Sequence, residues 1–300
     1  LRARTPFSET EKCYSGRQLR RVCTYSESRS EVLFIFGPES LDDKMETPRL
    51  PTKADFPSTL VFDLAPPPSG PALNILILLH GLGDTNTSFT TLGRNLNLPQ
   101  TASLSLQAPN PIPAIFTGSD APSFHWGDDV LIDEQRGEIE LDAGFVGSTK
   151  LLGSVVEALT SRCQYPLRSI MFLGYGQGGM VALSFIKSYT PSSLASSSSY
   201  TEAEFGGVIS IGAGLPSSSS SSIPKCRTPI LVCGGSRSSQ VTRNAVDRLK
   251  KVFGDVEYVK WEKADDSMMR NREEMLPLMR FFARRLRSRV GVPEEAVEVG

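Results

Sequence analysis

Gly174-Tyr175-Gly176-Gln177-Gly178-Gly179 is the stretch that decides how this chain is read. The run before it, Ser169-Ile170-Met171-Phe172-Leu173, suits a buried parallel strand, and Met180-Val181-Ala182-Leu183-Ser184-Phe185-Ile186 continues as a helix. Strand, tight turn and helix follow one another. In a G-x-S-x-G turn the outer glycines let a strand bend sharply into a helix without a Cβ clash, which lifts the central side chain into the open at the helix N-terminus. The central residue here is Gly176, which has no side chain to lift. The same letters satisfy G-x-G-x-x-G at Gly174, Gly176 and Gly179, a phosphate-cradling pattern, so nucleotide binding is a competing reading of this turn.

A second segment separates the two readings. Leu73-Asn74-Ile75-Leu76-Ile77-Leu78-Leu79 is almost wholly apolar, as expected of a strand covered on both faces, and it ends in His80-Gly81-Leu82-Gly83-Asp84. An H-G-x-G turn after such a strand presents a backbone N–H to a developing oxyanion, together with the N–H that follows the nucleophile position. In this chain those groups belong to Leu82 and Gln177. A dinucleotide fold would also place an acidic residue about 20 positions beyond the glycines. Apart from Leu194 and Ala195, the chain offers serine there, from Ser192 to Ser199.

From about Leu60 to Arg289 the chain resembles the phospholipase/carboxylesterase family of α/β-hydrolases, which includes the acyl-protein thioesterases. The matching pieces are Leu79 to Asp84, the strand end Gln107-Ala108-Pro109, Trp126, Gly174 to Gly179 and the closing helix Arg272-Glu273-Glu274-Met275. In that family the sharp turn reads G-F-S-Q-G-G. The family's acid stands in a phrase like H-G-x-x-D-x-x-V, which corresponds here to Gly234-Gly235-Ser236-Arg237-Ser238-Ser239-Gln240-Val241 and puts Ser238 on the acid position. Its base stands in a phrase like G-K-G-H-x-M, which corresponds to Glu262-Lys263-Ala264-Asp265-Asp266-Ser267-Met268 and puts Asp266 on the base position. No carboxylate occurs between Gly234 and Val241, and the C-terminal half contains no histidine. The resemblance therefore implies a hydrolase fold in which Gly176, Ser238 and Asp266 replace the whole Ser-Asp-His triad.

Acyl transfer needs an oxygen or sulfur nucleophile and a base with a pKa near the working pH. Gly176 supplies no such atom, and an exposed aspartate, with an ordinary pKa near 3.9, is a poor base. Removing a serine-protease triad lowers turnover about 10⁶-fold, roughly 8–9 kcal/mol of barrier, whereas an oxyanion hole with substrate binding retains about 10³–10⁴ over water. The expected function is a non-catalytic protein that binds an acyl- or ester-bearing small molecule, or a protein partner, through a preserved pocket. The alternative is a weak carboxylic-ester or acyl-thioester hydrolase served by His125, Asp266 or a pocket water; nucleotide binding at Gly174–Gly179 is a further one.

His80, His125 and Trp126 are the pocket candidates. His80 reads as the organiser of the oxyanion turn rather than as a base. His125, the only other histidine, precedes Trp126 in a loop that borders the expected pocket. Trp126 reads equally as a pocket wall and as a packing residue. Asp128, Asp129, Asp133, Glu134, Glu138 and Glu140 form an acidic stretch without metal-ligand spacing, expected to be a solvated loop. Neither a metal nor a cofactor is expected.

The sequence has 300 residues, 39% hydrophobic content and a formal net charge of −1, enough for a sizeable core and poorly suited to nucleic acid. No apolar run approaches a membrane span. Cys13, Cys23, Cys163, Cys226 and Cys233 are scattered, odd in number and without metal spacing, which fits reduced thiols and a cytoplasmic protein. Residues 1–58 are rich in Arg, Ser and Pro and are expected to be a poorly ordered extension, with Met45 as a candidate start. A mitochondrial transit segment is the rival reading, favoured by Arg2, Arg4, Arg17, Arg20 and Arg21 and opposed by Glu9, Glu11, Glu27 and Glu31.

Residues 59–289 are expected to be the α/β domain, with flexible serine loops at 192–199 and 217–222 and a tail at 290–300. Strands are expected near Leu60–Leu64, Leu73–Leu79, Ser103–Gln107, Arg168–Leu173, Gly207–Ile211, Pro229–Cys233 and Glu257–Trp261. Helical patterns separate most of them, which implies a mainly parallel sheet covered on both faces, with sites at the carboxyl ends of its strands. The last helix, Arg272 to Arg289, is expected to pack Met275, Leu278, Met279, Phe282 and Leu286 into the core.

Overall fold

Alternating apolar runs and helical segments assemble into a seven-stranded sheet in the computed structural model, which describes residues 48–133, 137–189, 204–217 and 225–288 and the backbone of two strands before them. Its strands are β1 (Phe62–Ala65), β2 (Asn74–Leu79), β3 (Thr101–Leu106), β4 (Ile170–Tyr175), β5 (Gly207–Ile211), β6 (Ile230–Gly234) and β7 (Val256–Lys260). They lie in the order β7-β6-β5-β4-β2-β3-β1. Only β1 runs antiparallel, pairing Phe62 with Leu106 and Ala65 with Ser103. The other neighbours are parallel, as in the register Leu173↔Leu78 and Leu173↔Ile209. This is the α/β-hydrolase fold, and all seven expected strands are present.

Strand β2 shows why the sheet needs cover on both sides, since every one of its residues is buried. Its side chains alternate: Ile75, Ile77 and Leu79 join one core layer, while Leu76 and Leu78 join the other. The first layer is closed by α3 (Val146–Ser161), α4 (Gln177–Ser188) and α5 (Arg243–Val252). The second is closed by α1 (Asn86–Leu96) and α6 (Arg272–Arg285). A single turn, α2 (Ala114–Thr117), and two short antiparallel pairings, Asn110–Pro111 with Phe124–His125 and Ile132–Asp133 with Glu138–Ile139, form the long excursion between β3 and α3.

Two expectations are adjusted. Helix α6 buries Glu274, Leu278, Phe281 and Phe282, while Met279 is exposed. Steps of four, three and one residue from Glu274 keep to one face at 3.6 residues per turn, and Met279 lies a further 100° round from Leu278. The compact unit begins at Pro48 rather than at residue 59. Arg49 grips Asp55 with two hydrogen bonds of 2.9 and 2.6 Å, and Phe56 and Leu60 enter the core. Before Pro48, in a separate unit, Val22–Glu27 and Ser30–Ile35 pair antiparallel. Met45, the remainder of the expected extension, Glu134, residues 192–199, 218–222 and the tail at 290–300 lie outside the described residues. Among the described residues, no helix is long and apolar enough to cross a membrane.

Candidate functional site

The turn between β4 and α4 keeps the backbone shape of a nucleophile-bearing turn although its apex is glycine. Gly176 has φ +50° and ψ −120°, a conformation that side-chain-bearing residues adopt only under strain. Its N–H donates to Ile211 O at 2.9 Å, which ties the apex to the end of β5. A Cβ added at Gly176 would meet no atom within 4 Å, so the missing side chain would project into open space. The flanking glycines differ. A Cβ at Gly174 would lie 2.5 Å from the Gly178 carbonyl, and one at Gly178 would collide with the carbonyls of Leu79 and His80. Close backbone packing thus demands glycine at 174 and 178, and at 176 it does not.

The turn after β2 is built around His80, which is fully buried. Its Nδ1–H donates to Gly81 O at 2.7 Å, and its Nε2 accepts from the Ala108 N–H at 3.0 Å and faces the Gln107 amide at 3.2 Å. Both ring nitrogens are committed to neutral partners, and burial pushes the imidazole pKa down, so the ring is held neutral. The Asp84 N–H closes a four-residue turn onto Gly81 O at 3.3 Å, with Gly83 at φ +81°. The Leu82 N–H donates to no atom among the described residues, and that of Gln177, in the first turn of α4, has no intrahelical acceptor.

Trp126 joins these two turns. Its indole N–H donates to His80 O at 2.8 Å, its backbone N–H donates to the Gln177 side-chain oxygen at 2.7 Å, and the ring is fully buried. The Gln177 amide then donates to Leu141 O at 3.1 Å. Trp126 is therefore a brace enclosed in the structure rather than an open wall. His125, on the neighbouring strand residue, is also buried, and burial pushes its pKa down despite the nearby Asp129 charge.

Ser238 and Asp266, 28 positions apart in sequence, meet. The Ser238 hydroxyl donates to Asp266 Oδ2 at 2.7 Å, and the Gly235 N–H donates to Asp266 Oδ1 at 2.8 Å. Ser238 also accepts from the Val241 N–H at 2.7 Å. Asp266 is half-buried and engaged at both oxygens, not the exposed carboxylate the sequence led us to expect. Its Cβ lies 2.8 Å from where a Cβ on Gly212 would be, one residue past the β5 end that holds Gly176. The loop carrying it is clamped by Lys263, which pairs with Glu274 at 2.9 Å, donates to the carbonyls of Ser267 and Met268, and sits 4.0 Å above the Trp261 ring.

Sequence reasoning missed three contributors. Tyr175 stacks over Gly81, where a Cβ would approach its ring to 2.8 Å. Burial first, and then the charges of Asp266, Asp265 and Asp84, push its phenol pKa up. The Gln177 side chain, noted only for its backbone, links Trp126 to Leu141. Asp128, expected in a solvated loop, receives the Val146 and Gly147 N–H groups at 2.7 Å each and so caps α3, whose own N-cap residue is Phe145. A polar residue next to a motif glycine was the available signal for the first two; nothing in the sequence signals the third. Among the described residues no group of three or more His, Cys, Asp or Glu side chains is placed to hold a metal ion.

Comparison with known proteins places this geometry. The chain is 31% identical over 198 residues to an uncharacterized hydrolase of Schizosaccharomyces pombe, covering 65% of this chain and 76% of the yeast protein. It is 37% identical over 129 residues to an uncharacterized hydrolase of Mycosarcoma maydis, covering 42% of this chain and 47% of that protein's length. The crystal structure of Zea mays acyl-protein thioesterase 2 matches with a TM-score of 0.53 at 19% identity over 75% of this chain and 98% of the maize chain, a likeness of fold. The Phospholipase/Carboxylesterase family model matches residues 66–283, and the chain belongs to that family.

Proposed function

We propose that this protein is a non-catalytic member of the carboxylesterase/thioesterase-type hydrolases that binds an acyl- or ester-bearing molecule, free or on a protein partner, beside the β4–α4 turn. The observation that carries the reading is Gly176, which holds the strained turn geometry with open space where a nucleophile would stand. Two further features support it. Asp266 and Ser238 occupy each other in a carboxylate–hydroxyl contact that offers no imidazole, and His80 spends both nitrogens on the turn beside Ala108. The family's description names phospholipase and carboxylesterase chemistry, which is the basis for the acyl or ester class of ligand.

The free Leu82 N–H favours a second reading, in which backbone donors alone give feeble ester hydrolysis. Turnover of short p-nitrophenyl esters and acyl thioesters by the purified protein separates the two. Rates at the buffer background support the binding role. Saturable turnover by wild-type protein that survives removal of co-purifying esterases would sink it.

A further inference from the structure

A cavity lies at the opposite rim of the sheet from Gly176. Its volume is about 320 Å³, and Ala65, Pro66, Pro67, Pro68, Gly93, Arg94, Thr101 and Ser103 line it. Thr101 is the first residue of β3 and Ala65 pairs with Ser103, so this is the amino end of the parallel strands, whereas the β4–α4 turn is at their carboxyl end. The size is at the small end of the range for ligand pockets, about 300–1,000 Å³.

The lining is chemically two-sided. Three consecutive prolines make one wall, apolar and fixed in φ before any ligand arrives. On the other side Arg94 is exposed and makes no side-chain hydrogen bond or ion pair with any described residue. At the floor, Ser103 is 5% exposed, and its hydroxyl makes no hydrogen bond among the described residues. The neighbouring Thr101 hydroxyl is already committed to Pro99 O at 3.1 Å. Gly93 keeps the floor reachable. A Cβ there would lie 2.7 Å from Ser103 Cβ and 2.8 Å from its Oγ, covering the hydroxyl. Glycine is unfavourable inside a helix, and the close approach of α1 to β3 accounts for its presence here.

We infer that this cavity binds a small carboxylate-bearing apolar molecule, its carboxylate on the Arg94 guanidinium and the Ser103 hydroxyl and its hydrocarbon against Pro66–Pro68. A guanidinium matches a carboxylate as a two-pronged donor, and the Ser103 hydroxyl, without a side-chain or backbone partner among the described residues, is free to donate to the same group. The site is independent of the β4–α4 turn, and its existence does not depend on whether that turn is catalytic.

Hexanoate titrated into the full chain, followed by saturation-transfer NMR and by amide shifts, tests the assignment, with hexanol as the uncharged control. The expected result is binding of hexanoate that shifts the Thr101–Ser103 amides, weak or no binding of hexanol, and a loss of affinity on the order of tenfold or more in Arg94→Gln. Arg94 is exposed, so this variant leaves the core intact; Ser103→Ala weakens binding by a smaller factor. Absence of hexanoate binding up to roughly 10 mM overturns the inference. So does binding of equal strength in wild type and Arg94→Gln, or amide shifts confined to the β4–α4 turn.

Discussion

Replacing Gly176 with serine adds a hydroxyl without touching anything else, and its consequences follow from the turn's geometry. The added Cβ meets no atom within 4 Å, so the cost is backbone strain alone. A non-glycine residue in a sparsely populated φ/ψ region costs about 1–3 kcal/mol, which for a domain of this size lowers the melting temperature by roughly 2–12 °C. The neighbouring glycines behave differently, because a Cβ at Gly174 lies 2.5 Å from the Gly178 carbonyl and neither side is free to yield. Gly174→Ala is expected to lose more than about 4 kcal/mol, beyond the usual range of single substitutions. In activity, Gly176→Ser adds a hydroxyl in open space with no histidine to deprotonate it, and Asp266, on the base position, already has both oxygens engaged. Ester turnover by Gly176→Ser should therefore stay within about tenfold of wild type, because general-base assistance worth 10²–10⁴ is missing. Thermal melts and p-nitrophenyl butyrate kinetics on the two variants read both outcomes. A burst of p-nitrophenol equal to the enzyme concentration in Gly176→Ser would show a base that the reasoning has overlooked, and equal destabilisation by the two substitutions would refute the turn geometry.

The remaining expectations concern the neighbourhood of that turn. Combining Gly176→Ser with Ser238→Asp and Asp266→His puts a carboxylate against an imidazole where the side chains now touch at 2.7 Å, and turnover should rise about 10²–10⁴-fold over the single serine variant, measured with the same ester. Gln177→Leu leaves the buried Trp126 N–H without its acceptor and is expected to cost about 1–3 kcal/mol, seen as a lower urea midpoint at unchanged m-value. His80 and His125 are both buried with lowered pKa values, so the folded state binds fewer protons than the unfolded one near their titration. Stability they contribute is present above the ordinary imidazole pKa of about 6.5 and drains away as pH falls towards the folded values; melting temperatures between pH 8 and 5 should show it, with His125→Gln flattening the slope. Burial pushes the Cys233 thiol up to about 12 and raises that of Cys163, so iodoacetamide at pH 8 should label Cys226 ahead of these two on native protein, as read by peptide mass mapping.

The fold was legible because its central strands β2 and β4 are written as apolar runs, Ile75 to Leu79 and Ile170 to Leu173, each followed by a glycine-rich turn. A fully buried parallel strand has no solvent face, so there is little else such a run can form. Ser238 and Asp266, put on the acid and base positions by resemblance alone, meet because both stand in loops after adjacent strands β6 and β7, and parallel sheets gather such loops at one rim. What escaped the sequence depends on direction rather than on composition. Whether Asp128 faces solvent or the amides of α3 is set by how an excursion of short pairings closes, and local patterning carries no trace of it. Met279 looked like core by spacing from Met275, yet the face is set by Leu278, Phe281 and Phe282, whose bulk fixes how α6 rolls onto the sheet. Residues 48–58 looked like part of the extension because what ties them to the domain is scattered: the Arg49 N–H on Cys163 O, Arg162 on Asp55 O and the single core residue Phe56, none of which makes a periodic pattern.

Intact-mass spectrometry after incubation with a fluorophosphonate tests the central claim most directly, since that reagent reports an activated serine hydroxyl regardless of the preferred substrate. The account predicts wild-type protein at its unmodified mass and a single adduct, on the hydroxyl introduced by Gly176→Ser, in the triple variant alone. A stoichiometric adduct on the wild-type chain, at any residue, would contradict it.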